Sequence, residues 1–174
     1  MKSYLFIAAL AFFLAPNLAS AQPPPVSASC NISCTVADIV EWSDTDFAPI
    51  ELPELTTENS QVSGSASLLL YTNGDVTITA NNSDTTQLSK DPLYKLVTEY
   101  KLEYDAAGAA QTGGSTVAWS GYDSFLSKGS TVNHIHGDGA VEVILSVRAS
   151  YDSKAPPASG DYNATQTLTV CWKS

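Results

Sequence analysis

The chain has 174 residues, with 8 basic against 18 acidic side chains and a net charge of −10. That balance excludes a phosphate-binding surface and electrostatic docking on anionic lipid, both of which need clustered Lys and Arg. Hydrophobic residues make up 44% of the chain, ample for a packed core, and only two histidines and three cysteines are available for metal or thiol chemistry.

Met1 to Ala21 carries the pattern of a secretory leader. Lys2 gives a positive start, Leu5 to Ala15 is unbroken and apolar, and Ala19-Ser20-Ala21 is a small-x-small cleavage site. The apolar run is shorter than the ~20 residues that span a bilayer. The reading is a signal peptide over 1–21, a mature start at Gln22 and export to the periplasm, cell surface or extracellular space. What remains, 22–174, is about 150 residues, enough for one domain.

Three prolines at positions 23–25 make a stiff extended leader. Val26 to Val36 then alternates strictly: Val26, Ala28, Cys30, Ile32, Cys34 and Val36 on one face, with polar residues between them. Period-2 alternation predicts a half-buried strand, so 22–36 reads as an extension or first strand, with Ala37 to Trp42 as a second strand or its continuation. Ser43 to Ser60 is acidic and broken by Pro49 and Pro53, the composition of a loop. Glu41, Asp44 and Asp46 lack the glycine and the terminal glutamate of a calcium loop and read as a solvated acidic cluster.

Ser65 to Ala80 contains two β-prone runs that meet at Asn73-Gly74, a strong hairpin signal. A hairpin there pairs Tyr71 with Val76 and Leu69 with Ile78, which puts Leu69, Tyr71, Val76, Ile78 and Ala80 on one apolar face. Further on, Leu96, Tyr100, Leu102 and Tyr104 alternate with Glu99, Lys101 and Glu103. Thr116 to Trp119 is a short strand, and Gly121 to Asn133 is irregular. Val141, Val143, Leu145 and Val147 mark another inward face, and Leu168, Val170 and Trp172 mark the last. The sum is an all-β chain of about seven to eight antiparallel strands, an immunoglobulin-like β-sandwich, with a closed barrel as the alternative.

Three cysteines in an exported chain allow one internal disulfide and one spare thiol. If their segment is extended, Cys30 and Cys34 lie ~13 Å apart, beyond bonding reach. The expectation is a bond from Cys171 to Cys34 or, in second place, to Cys30. Alternation puts Cys171 on the threonine face of its strand, a parity that sits awkwardly with Cys34 beside Val36. His134 and His136 share a face if their segment is a strand, and with Asp138 they form the one constellation resembling a metal site. The reading adopted is a polar strand end without metal. No nucleophile elbow, zincin helix, dinucleotide loop or P-loop occurs, so neither enzyme chemistry nor a cofactor is expected. Trp119, Tyr122 and Phe125 are considered as a sugar platform, with core packing as the plainer use of them.

Tyr71-Thr72-Asn73-Gly74-Asp75-Val76-Thr77-Ile78, a tyrosine-rich strand and then Gly160-Asp161-Tyr162 leading into Asn163 to Val170 resemble bacterial surface β-sandwiches. These are the chaperone–usher pilins of the alternate and archaic kind and the spore coat protein U group. The resemblance implies passage through the periplasm with a chaperone, an incomplete immunoglobulin-like fold and polymerisation by strand donation. It makes the chain a non-enzymatic subunit of a surface filament or coat, partnered by itself or by related subunits. The alternative is a secreted monomeric β-sandwich that binds carbohydrate or protein.

Overall fold

A computed structural model describes residues 25–108, 110–152 and 154–173. The leader and Gln22 lie outside the described residues. The chain divides into two compact units, 1–35 and 36–174.

In the first unit, 25–35 forms no strand and its residues are exposed, Val26 at 97% and Ile32 at 91%. The strand expected over Val26 to Val36 is therefore absent from the isolated chain. The physical reason is that alternation fits a sequence for a strand but does not supply a neighbouring ladder. A strand without one leaves its backbone N–H and C=O groups to water.

The second unit is all-β, with nine strands: β1 Val40–Trp42, β2 Gln61–Thr72, β3 Val76–Ala80, β4 Val97–Tyr104, β5 Gly113–Gly114, β6 Val117–Gly121, β7 Ser130–Asn133, β8 Ala140–Ser150 and β9 Leu168–Trp172. One 3-10 turn, Asp84–Thr86, interrupts them, and no α-helix occurs among the described residues. Two antiparallel sheets form, ordered β1-β2-β8-β4-β6 and β5-β7-β3-β9. Their inner faces share one core, the arrangement of a β-sandwich. The first sheet contributes Leu70, Tyr100, Leu102 and the inward row of β8, and the second contributes Val76, Ile78 and Val132. Phe125, fully buried, packs against Tyr100 with ring centroids 5.4 Å apart. Each such side chain contributes roughly 1.5–3 kcal/mol by leaving water.

The alternation read for β4, β8 and β9 agrees with most of their burial: Tyr100, Leu102, the β8 valines, Leu145, Leu168 and Val170 point in and Glu99, Lys101 and Glu103 point out, while Val97 and Trp172 are exposed. The hairpin does not form. β2 pairs with β1 and β8, and β3 pairs with β7 and β9, so Asn73-Gly74 carries the chain from one sheet to the other. Because β2 and β3 are not neighbours, the parity imposed by a hairpin is void. Leu70 is buried and Leu68 half-buried, whereas Leu69 and Tyr71 face outward.

The corner is built from side chains rather than from a two-residue turn. A type I′ turn needs positive φ at both central residues, and neither Asn73 nor Gly74 has it. The Thr72 hydroxyl donates to the Gly74 carbonyl (2.7 Å) and accepts its N–H (3.3 Å). The Asn73 carboxamide accepts the Ile39 N–H (2.8 Å) and donates to the Ala37 carbonyl (2.9 Å), tethering the chain just before β1. Gly74 is required because the Trp172 ring lies where a Cβ would be, 1.9 Å from its nearest atom.

The 43–60 stretch is irregular, as composition implies, yet it is also part of the core. Phe47, Ile50, Leu52 and Leu55 are half-buried or pack against buried residues. Ile50 and Leu52 lie over Gly64, where the side-chain-free backbone lets them approach. Beyond them, Val62, Leu96 and Ala149 form a second cluster, closed by residues from loops rather than by the second sheet.

Candidate functional site

The feature with most functional potential is the supply of unfilled strand edges. β1 covers only Leu70 to Thr72 of β2, so Gln61 to Leu69 has a strand neighbour on one side alone, β8. β5, β6 and β9 are the outer strands at the other edges, β5 being only two residues long. β6 carries a register shift near Tyr100 and Leu102, which blunts an edge. β9 pairs with β3 in continuous register from Leu168 to Trp172 and carries no charge. Such edges accept further strands through backbone hydrogen bonds.

The histidines do not share a strand face. β7 ends at Asn133, and Ile135 and Asp138 close a turn in which the Asp138 N–H donates to the Ile135 carbonyl (3.0 Å). His136 lies in that turn, next to Gly137 at φ 89°, a left-handed position that suits glycine. His134 is half-buried, with its N–H donated to Asp75 Oδ1 (2.9 Å). The centre of this loop cluster is Thr112, which is fully buried and which sequence reading passed over. Its hydroxyl donates to the Asp138 carbonyl, accepts the Ile135 N–H (2.9 Å) and sits 3.5 Å from His134 Nδ1. Its N–H donates to Asp138 Oδ2 (3.0 Å). Nothing in the sequence around it signals this: Thr112 precedes two glycines in a small-residue loop. Asp138 is thereby engaged in holding the loop, and no group of three metal-ligating side chains occurs among the described residues.

Glu41 lies on β1 opposite Tyr71, while Asp44 and Asp46 accept hydrogen bonds from Thr45. The three carboxylates do not gather. The aromatic trio is dispersed as well: Phe125 is core, Tyr122 packs against the core, and Trp119 lies under Arg148, whose guanidinium is 4.6 Å from the ring centroid. Arg148 also donates through Nε (2.9 Å) and Nη2 (2.6 Å) to Glu99 Oε2. The three residues bind β8, β4 and β6 across the outer face of the first sheet.

Cys30, Cys34 and Cys171 are free and exposed. Burial pushes the phenols of Tyr100 and Tyr104 up to about 12. The Tyr100 hydroxyl donates to the Thr86 carbonyl (2.6 Å), and that of Tyr104 to Ser130 Oγ (2.7 Å). A shallow depression of about 330 Å³ lies among Ile39, Glu41, Tyr71, Asn73 and His134. No helix among the described residues is long and apolar enough to cross a membrane.

The chain matches no protein-family model and no curated protein.

Proposed function

We propose that this chain is an exported, non-enzymatic structural subunit of a bacterial surface filament or coat, with an immunoglobulin-like domain, assembling by strand pairing between subunits. The observation that carries the reading is the state of Val26 to Val36. It has the strictest alternation in the sequence, yet its residues are exposed and form no strand. Apolar side chains at every second position have a use only beside another strand.

The acceptor that suits it is the stretch of β2 left uncovered by β1, Gln61 to Leu68, since Ser43 already bonds the Leu69 N–H and carbonyl; its inward row is Val62, Gly64, Ala66 and Leu68, with Ile50 and Leu52 lying over Gly64. A donor from one subunit on an acceptor of the next is a head-to-tail contact and generates a fibre unless the rotation closes a ring. The resemblance of the closing Gly160 to Val170 stretch to pilins and coat proteins supports the same reading, as does the secretory pattern of 1–21.

The test is removal of Gln22 to Ser33 from the mature protein. Full-length protein is expected to form polymers visible by electron microscopy, and the truncated protein to run as a folded monomer on size exclusion. Full-length protein that stays monomeric at all concentrations, with a truncation that unfolds, refutes strand donation. The second reading, a monomeric module that binds carbohydrate or protein, draws on the depression beside Tyr71 and Glu41. It predicts saturable ligand binding that is lost in Tyr71→Ala.

A further inference from the structure

β9 is an edge strand, paired with β3 on one side only. Its backbone polarity follows from the two hydrogen bonds that flank the strand. The Lys173 N–H donates to the Asp75 carbonyl (3.0 Å), and the Asn81 N–H donates to the Thr167 carbonyl (3.0 Å). Both pairs continue the register of β3 and β9. In an antiparallel ladder the hydrogen-bonding direction alternates residue by residue. Thr167, Thr169, Cys171 and Lys173 therefore turn their backbone groups towards β3. Leu168, Val170 and Trp172 turn theirs to the open side, where no backbone partner occurs among the described residues.

Native edges are protected by charge, proline, a bulge or short length. β1 and β5 are short, with three and two residues, and β6 has its register shift. β9 has none of these devices. From Tyr162 to Trp172 there is no charged residue, and Lys173 adds a single cation. In a chain of net charge −10, this is a surface on which two copies meet without facing carboxylates. Leu168 and Val170 are only half-buried and Trp172 is 39% exposed, so an added strand has apolar surface left to cover.

We infer that two copies of this chain associate edge to edge through β9, antiparallel about a two-fold axis at Cys171. The symmetry argument selects the occupant. A two-fold at Cys171 sets Val170 opposite the partner copy's Trp172, and these residues, whose N–H and C=O face the open side, exchange both hydrogen bonds. Cys171 then faces its own copy at a non-hydrogen-bonded position. There Cα atoms are ~4.5 Å apart, within the span of a disulfide. Thr169 lies opposite the partner copy's Lys173, which keeps the two cations apart. The N-terminal segment, with its apolar face turned inward, would set Ser or Asn rather than a cysteine opposite the outward-facing Cys171. The interface makes no use of Val26 to Val36 and is independent of strand donation.

Oxidised glutathione is the probe. One Cys171 thiol from each copy loses a proton and an electron. The new S–S bond joins the copies, and the S–S bond of the probe breaks to give two reduced glutathiones. The C30S/C34S protein is expected to convert to a covalent dimer on non-reducing electrophoresis, with the Cys171 peptide recovered linked to itself. Val170→Pro removes the N–H on the open side without touching the β3 ladder, and should slow cross-linking about tenfold or more while the circular dichroism spectrum stays unchanged. In a C30S/C34S/C171S background, T169C alone should form no covalent dimer, whereas T169C mixed with K173C should cross-link. Rapid self-linkage of T169C, or no linkage in the mixture, overturns the register. A Cys171 that stays reduced in the C30S/C34S protein, or bonds to Cys34 or Cys30 in the unsubstituted chain, overturns the interface.

Discussion

Leu126 offers a sharp test of how the core is held. It sits at φ 51°, the one non-glycine residue with positive φ among those described, and is only 5% exposed. The turn around it is fixed by the Ser127 N–H donating to the Ser124 carbonyl (3.2 Å) and the Gly129 N–H donating to the Leu126 carbonyl (2.8 Å). The side chain packs into the main core, and that burial holds the backbone in the left-handed region. Leu126→Ala keeps the backbone penalty and empties the site, at about 2–5 kcal/mol. Leu126→Gly empties it slightly further and adds about 0.5–1 kcal/mol of chain entropy. It also releases about 1–2 kcal/mol of left-handed strain. The glycine variant should therefore be the more stable of the two, by up to about 1.5 kcal/mol, the reverse of the order at an ordinary position. Urea titration of both variants, with equal slopes, measures the difference. An alanine variant at least as stable as the glycine one would show that the backbone there is unstrained.

Three further predictions concern other parts of the chain. Tyr100 and Tyr104 keep their protons in the fold up to about 12, against 10.0 when free, so between those values the native state binds more protons and stability must fall as pH rises. The phenolate absorbance of these two residues should then appear together with loss of tertiary signal in alkaline titration; Tyr100→Phe and Tyr104→Phe identify it, and its appearance near 10 in folded protein would contradict this. Asn73→Ala removes the two hydrogen bonds to Ala37 and Ile39. It should cost about 1–2 kcal/mol and speed amide exchange at Ile39 and Val40, while exchange in β8 is unchanged. Protein recovered from the exported fraction should begin at Gln22, and N-terminal sequencing that still returns Met1 contradicts the leader reading.

The strands whose inward faces are legible in the sequence include β4 and β8 in the first sheet and β9 at the edge of the second. β4 and β8 alternate because one face meets the core and the other meets water, and their inward residues were readable one by one. Asn73-Gly74 misled because a turn signal records local backbone preference, whereas the choice between pairing back and crossing over depends on which strands lie beside each run. Here β8 takes the side of β2 that β3 would have needed. β7 was lost inside a stretch read as irregular because four residues are too few to show a period. The Thr112 cluster was invisible for a different reason: its hydrogen bonds join residues 22 to 26 positions apart, and nothing local encodes them. The aromatic trio scattered because Phe125 lies on the Leu126 turn and is drawn inward, while Trp119 stays on an outer face under Arg148.

The contact of Ile50 and Leu52 with Gly64 has a consequence for how the domain opens. The cluster around Val62, Leu96 and Ala149 is roofed by loop residues, whereas the larger cluster lies between two hydrogen-bonded sheets. Lifting 50–55 breaks side-chain contacts, those of Leu52 and Leu55 with this cluster and those of Ile50 and Leu52 with the larger one, without breaking any ladder bond. The strand it would lay bare is β2, along the stretch that β1 leaves uncovered. A peg of two aliphatic side chains resting on one glycine thus sets how readily that edge becomes accessible from the inner side. Any larger residue at position 64 would prop the roof open, since even a bare Cβ comes within 2.8 Å of Ile50.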